Sequence, residues 1–262
     1  MAARDEPGPD STLDAFHRGK FWLVQPRDKG HRAGMDAMML AAAVPSSFTG
    51  WLADFGAGAG AAGLAVAARC PGAKAVLVEN SQEMAGFAAR TLAHPQNSGL
   101  AGRVTLIAAD VTLTGKARIA AGLGDSAFDF VIMNPPFNAG HDRATPDTLK
   151  RGAHVMPHGL FKSWIRSAAA IVKPRGGIAI IARPQSVGEI LAALAGRFGG
   201  AQLLPIHPRP DAAAIRIVVR AVRGSRAALS LMPPLFLHEQ GSDRFSARAD
   251  DINNGRASLF GD

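Results

Sequence analysis

Tyrosine is absent from this chain of 262 residues, and cysteine occurs once. The single Cys70 excludes an internal disulfide and any zinc cluster built on cysteines. The lack of tyrosine excludes reductases that move a proton through a Tyr–Lys pair. No run of about 18 apolar residues is present to cross a bilayer as a helix. Residues 1–14 are polar and proline-containing, unlike a secretory leader. The expectation is a soluble cytoplasmic protein with no membrane partner. Charged residues make up only 19%, hydrophobic ones 47%, enough for a sizeable core. Acids are outnumbered: 21 Asp plus Glu against 29 Lys plus Arg leave a net charge of +8. Such an excess suits a polyanion partner, although an arginine-tilted composition in an Ala- and Gly-rich chain gives the same sum.

The length fits one α/β domain with extensions. Residues 1–13 read as a loose arm. Residues 20–34 suggest a hairpin, strand-like at 21–24 and turn-rich at 26–30. Asp36 begins a helix that runs to Val44 and is closed by Pro45. Strand and helix patterns then alternate: strands at 51–55, 75–78, 104–108, 128–133 and 178–182, helices at 59–69, 81–94, 159–172 and 186–198. Strands at 202–206 and 215–222 flank a proline-rich loop too short for a crossover helix, so they should pair antiparallel. The expected fold is α/β, a doubly wound and mainly parallel sheet with an antiparallel final strand. Residues 1–45 would form an N-terminal arm, hairpin and helix packed on a core of 46–262, whose tail from Leu235 carries one apolar patch and then turns polar. Residues 138–157 read as a long polar loop.

Two segments carry chemistry. Asp54-Phe55-Gly56-Ala57-Gly58-Ala59-Gly60 lies between a strand and a helix, where glycines let the backbone turn sharply against a ligand and the helix's first N–H groups face it. Gly58 to Gly63 also satisfies the dinucleotide fingerprint, with Glu79 placed as the ribose-binding acid. This segment alone leaves a nicotinamide cofactor and S-adenosylmethionine both open. Asp54 favours the second, because an acid beside the turn suits an ammonium group and repels a pyrophosphate. Glu79 can take both ribose hydroxyls and Asn80 can border the adenine. Asp110 can accept from the adenine amino group, with Val111 against the ring. Each acid taken singly is equally a solvated strand end.

The other segment is Asn134-Pro135-Pro136-Phe137 at the end of the strand 128–133. Asn134 offers an acceptor oxygen, the prolines leave rigidly aimed carbonyls, and Phe137 offers a ring for a planar group. A nicotinamide enzyme has no use for this set. Other candidates weigh less. His154 and His158 have ligand spacing, but Pro157 and Gly159 argue against a helix, and no metal is expected. Lys150, Arg151, Lys162 and Arg166 suit phosphate or a solvated face equally, and Trp22, Trp51 and Trp164 read as packing residues rather than base stackers.

These motifs resemble those of the class I S-adenosylmethionine-dependent methyltransferases that carry an (Asp/Asn)-Pro-Pro-(Phe/Tyr/Trp) motif and methylate amines. Gln25-Pro26, followed by Gly30-His31-Arg32-Ala33-Gly34-Met35-Asp36-Ala37-Met38-Met39-Leu40, resembles the N-terminal block of bacterial tRNA(Val) adenine N6-methyltransferases. The resemblance covers about residues 20–240. It implies cofactor roles for Gly34, Asp36, Asp54, Gly56, Ala57, Gly58, Gly60, Glu79, Asn80, Asp110, Val111 and Asn134. It implies an active site at Asn134, Pro135, Pro136 and Phe137, RNA (tRNA above all) as substrate, and a monomer or homodimer. A protein-glutamine or small-molecule methyltransferase, on nitrogen or oxygen, and a non-catalytic RNA-binding module are the alternatives.

Overall fold

The computed structural model describes residues 10–27, 32–136 and 159–262. Near the N-terminus β1 (Ser11–Phe16) and β2 (Phe21–Pro26) pair antiparallel as a separate hairpin. Its turn is at 17–20, not at 26–30, and residues 11–13 of the expected loose arm belong to β1. The reason is packing: Phe16 and Phe21 stack across the turn with ring centroids 5.5 Å apart, and Ser11 is buried with its Oγ bonded to Arg90. Residues 28–31 lie outside the described residues.

The apolar runs further on become one nine-stranded sheet. Its strands are β3 (Gly50–Phe55), β4 (Ala73–Glu79), β5 (Val104–Ala108), β6 (Phe128–Met133), β7 (Val172–Ala182), β8 (Phe198–His207) and β9 (Arg216–Arg223). The short β10 (Ser230–Leu231) and β11 (Leu235–Phe236) both pair with β8. In space the main strands run β8-β9-β7-β6-β3-β4-β5, all parallel except β9, which is antiparallel to both neighbours. The expected parallel sheet with an antiparallel final strand is therefore present.

Between the strands lie α1 (Met35–Ala42), α2 (Ala61–Arg69), α3 (Gln82–Ala93), α4 (Gly115–Ala120), α5 (Leu160–Ile171), α6 (Val187–Leu194) and α7 (Ala247–Asn253). Side chains alternate across the sheet with a period of two. Leu52, Leu77, Ile132 and Ile181 face α1, α2 and α7, while Phe55, Val78, Val131 and Ile180 face α5 and α6. Both faces are thus covered, as a parallel sheet requires. The α6 helix ends at Leu194, four residues before its expected end, because Phe198 starts β8. The tail is more ordered than its polar sequence implies: Ile252 of α7 and Leu259 are fully buried beside α1.

The chain leaves β3 toward β4 and β5, then returns to lay β6 and β7 on the other side. Order reverses at β3, and ligands of such sheets bind outside the carboxyl ends at that point.

Candidate active site

Parallel pairing sets Phe55 of β3 opposite Met133 of β6. The next residues, Gly56 and Asn134, therefore leave adjacent strands about 4.8 Å apart at the reversal point. The glycine turn and the Asn-Pro-Pro segment meet there around one crevice.

The turn needs its glycines for two separate reasons. Gly56 and Gly60 have φ of 67° and 95°, a region that costs an L-residue about 1–2 kcal/mol. Both are also packed closely: a Cβ on Gly56 would lie 2.7 Å from Trp164 Cη2, and one on Gly60 would lie 2.6 Å from Leu77 Cδ1. The N–H groups of Gly56 and Ala57 donate to the Val78 carbonyl, which ties the turn to β4. Gly60 brings no side chain of its own to cap α2; Asp54 takes the Gly63 N–H from beneath, and the rest of the first turn is directed at a ligand.

The three acids sit differently. Asp54 is only 2% exposed, and its Oδ2 accepts from Gly63 N–H at 2.8 Å. It holds the start of α2 from beneath the turn. Burial, helped by the nearby Glu79 charge and opposed by the Gly63 bond, pushes its carboxyl up to about 7. Glu79 ends β4 half-buried; its Oε2 accepts from Gly58 N–H at 2.8 Å and its Oε1 from Ser81 N–H at 2.7 Å. Each oxygen retains a lone pair for a hydroxyl donor. Asp110 follows β5, its Oδ1 accepting from the Thr112 N–H and hydroxyl at 2.7 Å, and Val111 beside it is buried. Asn80 is exposed next to Glu79.

Asn134 is the unusual member. Its Oδ1 is buried and has no hydrogen-bond partner among the described residues. An acceptor left that way costs about 1–3 kcal/mol. Pro135 is buried and Pro136 half-buried behind it. Phe137 lies outside the described residues, as do Lys150, Arg151, His154 and His158. Gly34 is exposed at the head of α1, and Asp36 is turned toward β9, where its Oδ2 pairs with Arg216 Nε at 2.9 Å.

Two residues without an expected role here also shape the site. Trp164 of α5 lies edge-on to Phe55 and against Gly56, so its indole props the turn. Gln25 is buried and accepts from Ala33 N–H at 2.7 Å, linking the hairpin to the approach of α1. Trp164 is apolar at helical spacing, which says core but not which core; Gln25 stood in the N-terminal block without a partner to reveal its use.

The profile of the methyltransferase small domain matches residues 32–205. The chain belongs to the methyltransferase small-domain family. It shares 48% identity with a predicted O-methyltransferase, Atu636 from Agrobacterium tumefaciens, over 85% of this chain and 97% of that one, with a TM-score of 0.74. The fold is shared with M. jannaschii TYW2 in complex with AdoMet (TM-score 0.55, 11% identity, 85% of this chain and 88% of that one). It is shared also with SMU.776, a putative methyltransferase complexed with SAH (TM-score 0.57, 13%, 85% and 58%). Among curated proteins no sequence matches.

The methyltransferase depends on S-adenosylmethionine, and its residues suit that cofactor. The turn presents backbone at Gly56, Gly58 and Gly60, all with positive φ, Glu79 retains acceptors for a ribose diol, and the orphaned Asn134 oxygen stands beside the turn. Among the described residues no group of three His, Cys, Asp or Glu is placed to hold a metal ion, and no helix is long and apolar enough to cross a membrane.

Proposed function

We propose that this methyltransferase methylates an exocyclic amine, the 6-amino group of adenine in tRNA or another structured RNA being the substrate that its features suit best. The observation that carries the reading is the buried Asn134 Oδ1 without a partner. A buried acceptor is satisfied by a donor brought in by substrate, and an aromatic amine brings two N–H bonds. Asn134 Oδ1 accepts one and the Pro135 carbonyl the other. Accepting both draws the amine from planarity and frees a lone pair otherwise delocalised into the ring. These bonds strengthen as positive charge grows on nitrogen, so they favour the transition state over the ground state. S-adenosylmethionine, when bound, supplies an electrophilic methyl group. The amine loses its proton after transfer, so no strong base is needed beforehand. A target base in RNA must be unstacked to reach this depth, and Phe137 is the ring assigned to receive it. On this reading Gly56, Ala57, Gly58 and Gly60 give backbone to the cofactor, Glu79 takes the ribose, and Asn80, Asp110 and Val111 border the adenine. Asp54 acts through the shape of the turn, and residues 1–45, with Gly34 and Asp36, form the cover.

A second reading is methylation of oxygen, favoured by the name given to Atu636; a hydroxyl would present Asn134 with one donor rather than two. Transfer of labelled methyl into total RNA and total protein from cells lacking the enzyme, followed by nucleoside analysis, separates these readings. Label in N6-methyladenosine is expected. Label confined to protein, or to a methyl ester or ether, overturns the amine reading.

A further inference from the structure

The rim of the sheet opposite the active site is lined with cations. Lys74 is the second residue of β4, Lys173 and Arg175 lie at the start of β7, Arg223 ends the antiparallel β9, and Arg197 and Arg226 border β8 and its edge. Following the strand order from β4 to β8, five spacings of about 4.8 Å give a stripe roughly 24 Å long. Among the described residues three acids stand at this rim, and each has a cation partner: Asp125 pairs with Arg118, Asp129 with Lys173 and Asp262 with Arg220. Among the described residues Arg175, Arg197, Arg223 and Arg226 make no ion pair. The carboxylates of the crevice, Asp54, Glu79 and Asp110, lie at the other end of the same strands.

Two further features belong to this rim. Trp51, the second residue of β3, is 40% exposed, with Lys74 Nζ 5.1 Å from its ring centroid. Trp51 was expected to be a packing residue, yet it offers its ring to solvent among cations. Arg175 sits on a bulge, since two steps along β6 from Phe128 to Phe130 match five along β7 from Val172 to Gly177. Its φ is 67°, a left-handed conformation that glycine would adopt without strain. Exposed Arg175 lines a cleft of about 360 Å³ together with Phe48, Phe130, Gly176 and Gly177, and with Asp129 and Asp262, the two acids paired with Lys173 and Arg220.

We propose that this rim is a second nucleic-acid contact surface, on which the guanidinium groups hold backbone phosphates and Trp51 stacks a base. It rests on the reading of the partner as RNA but not on the chemistry at Asn134, roughly 20 Å away along the six residues of β6. Cations interleaved with an exposed aromatic ring are what single-stranded stretches of nucleic acid recognise. Arg175 and Arg226 are exposed, while Arg223 donates to Ser126 Oγ and the Val172 carbonyl and Arg197 to the Ala193 carbonyl; guanidinium groups without carboxylate partners, set along one rim, suit a run of phosphates.

The test is binding of refolded total tRNA to the full chain at several salt concentrations. Arg175→Gln with Arg226→Gln should weaken binding at least about tenfold and lower the slope of log K against log salt by about two. Trp51→Ala should weaken it about tenfold. Arg175→Gly relieves the backbone and removes the guanidinium, so it should keep or raise the melting temperature while losing affinity, which separates binding from folding. Lys20→Gln, an exposed charge on the hairpin turn, is the comparison and should leave the slope within half a unit. Unchanged affinity and slope in the rim variants overturns this inference and leaves RNA methylation standing. An equal loss in Lys20→Gln, or polyglutamate bound as tightly as tRNA, also overturns it by showing diffuse attraction. A parent chain that binds no tRNA and methylates only protein or small molecules removes this inference and the RNA reading together.

Discussion

Asn134, half-buried with its Oδ1 fully covered, and the buried Asp54 stand at the ends of neighbouring strands, and their situations are opposite. Asn134 keeps an acceptor with nothing to accept from, whereas Asp54 has a donor in Gly63 but too little solvent to carry its charge comfortably. Removing an unsatisfied acceptor costs the fold little. Asn134→Ala should therefore unfold within about 1 kcal/mol of the parent in urea and bind S-adenosylmethionine within a few-fold. Turnover should fall by about 10²–10³, the usual effect of losing one group that matters in the transition state. Wild-type turnover in that variant would refute the amine-holding role. For Asp54 the sign follows from its raised value. The folded chain holds a proton that the unfolded chain releases near pH 3.8, so stability is lost as pH rises from about 4 through about 7. Asp54→Asn removes that loss and keeps an amide oxygen for Gly63. Its stability relative to the parent should climb between pH 4 and pH 8 by an amount on the order of 4 kcal/mol, read from denaturant melts at each pH. A difference that stays flat with pH would mean that Asp54 is ionised throughout.

Elements explain why the glycine turn works and how far it was legible. Two penalties would act on Gly56→Ala: the left-handed backbone and the clash with Trp164. Backbone strain is about 1–2 kcal/mol and overpacking about 1–3 kcal/mol, so neither dominates. Trp164→Phe removes the six-membered part of the indole that a Cβ on Gly56 would strike. The double variant should accordingly lose less stability than the sum of the two single variants, by about 1 kcal/mol or more, and cofactor affinity should recover in parallel. Strict additivity would place all the cost in the backbone. The strands and the turn were readable because a buried parallel strand is a near-continuous apolar run and a glycine-rich link ends it. The hairpin's first strand was not, because the polar Ser11, Thr12 and Asp14 are held in it by Arg90, Arg32 and Gln25, which lie 11 to 79 residues away in sequence. Asp36 shows the same limit: it looked free to meet a cofactor until β9 brought Arg216 beside it. The fold from β3 to β9 was thus legible, while the burial of Asp54 and the support from Trp164 were not, since both depend on what packs across the turn.

At the scale of the whole molecule, the N-terminal hairpin and the C-terminal tail meet. The hairpin turn sets His17 against Gly255, where a Cβ would lie 2.5 Å from the ring, and Arg18 pairs with Asp250 of α7. Leu259 N–H donates to the Ala42 carbonyl, so the tail also anchors the end of α1. His17 is buried edge-on to Phe21, and neither ring nitrogen has a hydrogen-bond partner among the described residues. Burial, with Lys20 and Arg69 nearby, holds it down to about 4. The sign is the reverse of that for Asp54: the unfolded chain takes up a proton near pH 6.5 that the folded chain refuses until about pH 4, so stability is lost as pH falls through this window. Between pH 4 and pH 6.5 the two buried groups oppose one another, and the parent should show a nearly level stability profile. His17→Ala should expose the Asp54 slope, with stability falling toward pH 6.5 by an amount on the order of 2 kcal/mol relative to the parent. Asp54→Asn should expose the opposite slope. Because the two side chains share no hydrogen-bond or ring partner among the described residues, their effects should add in the double variant, which should be flat again across that range. A slope that persists in the double variant would assign the titration to some other group.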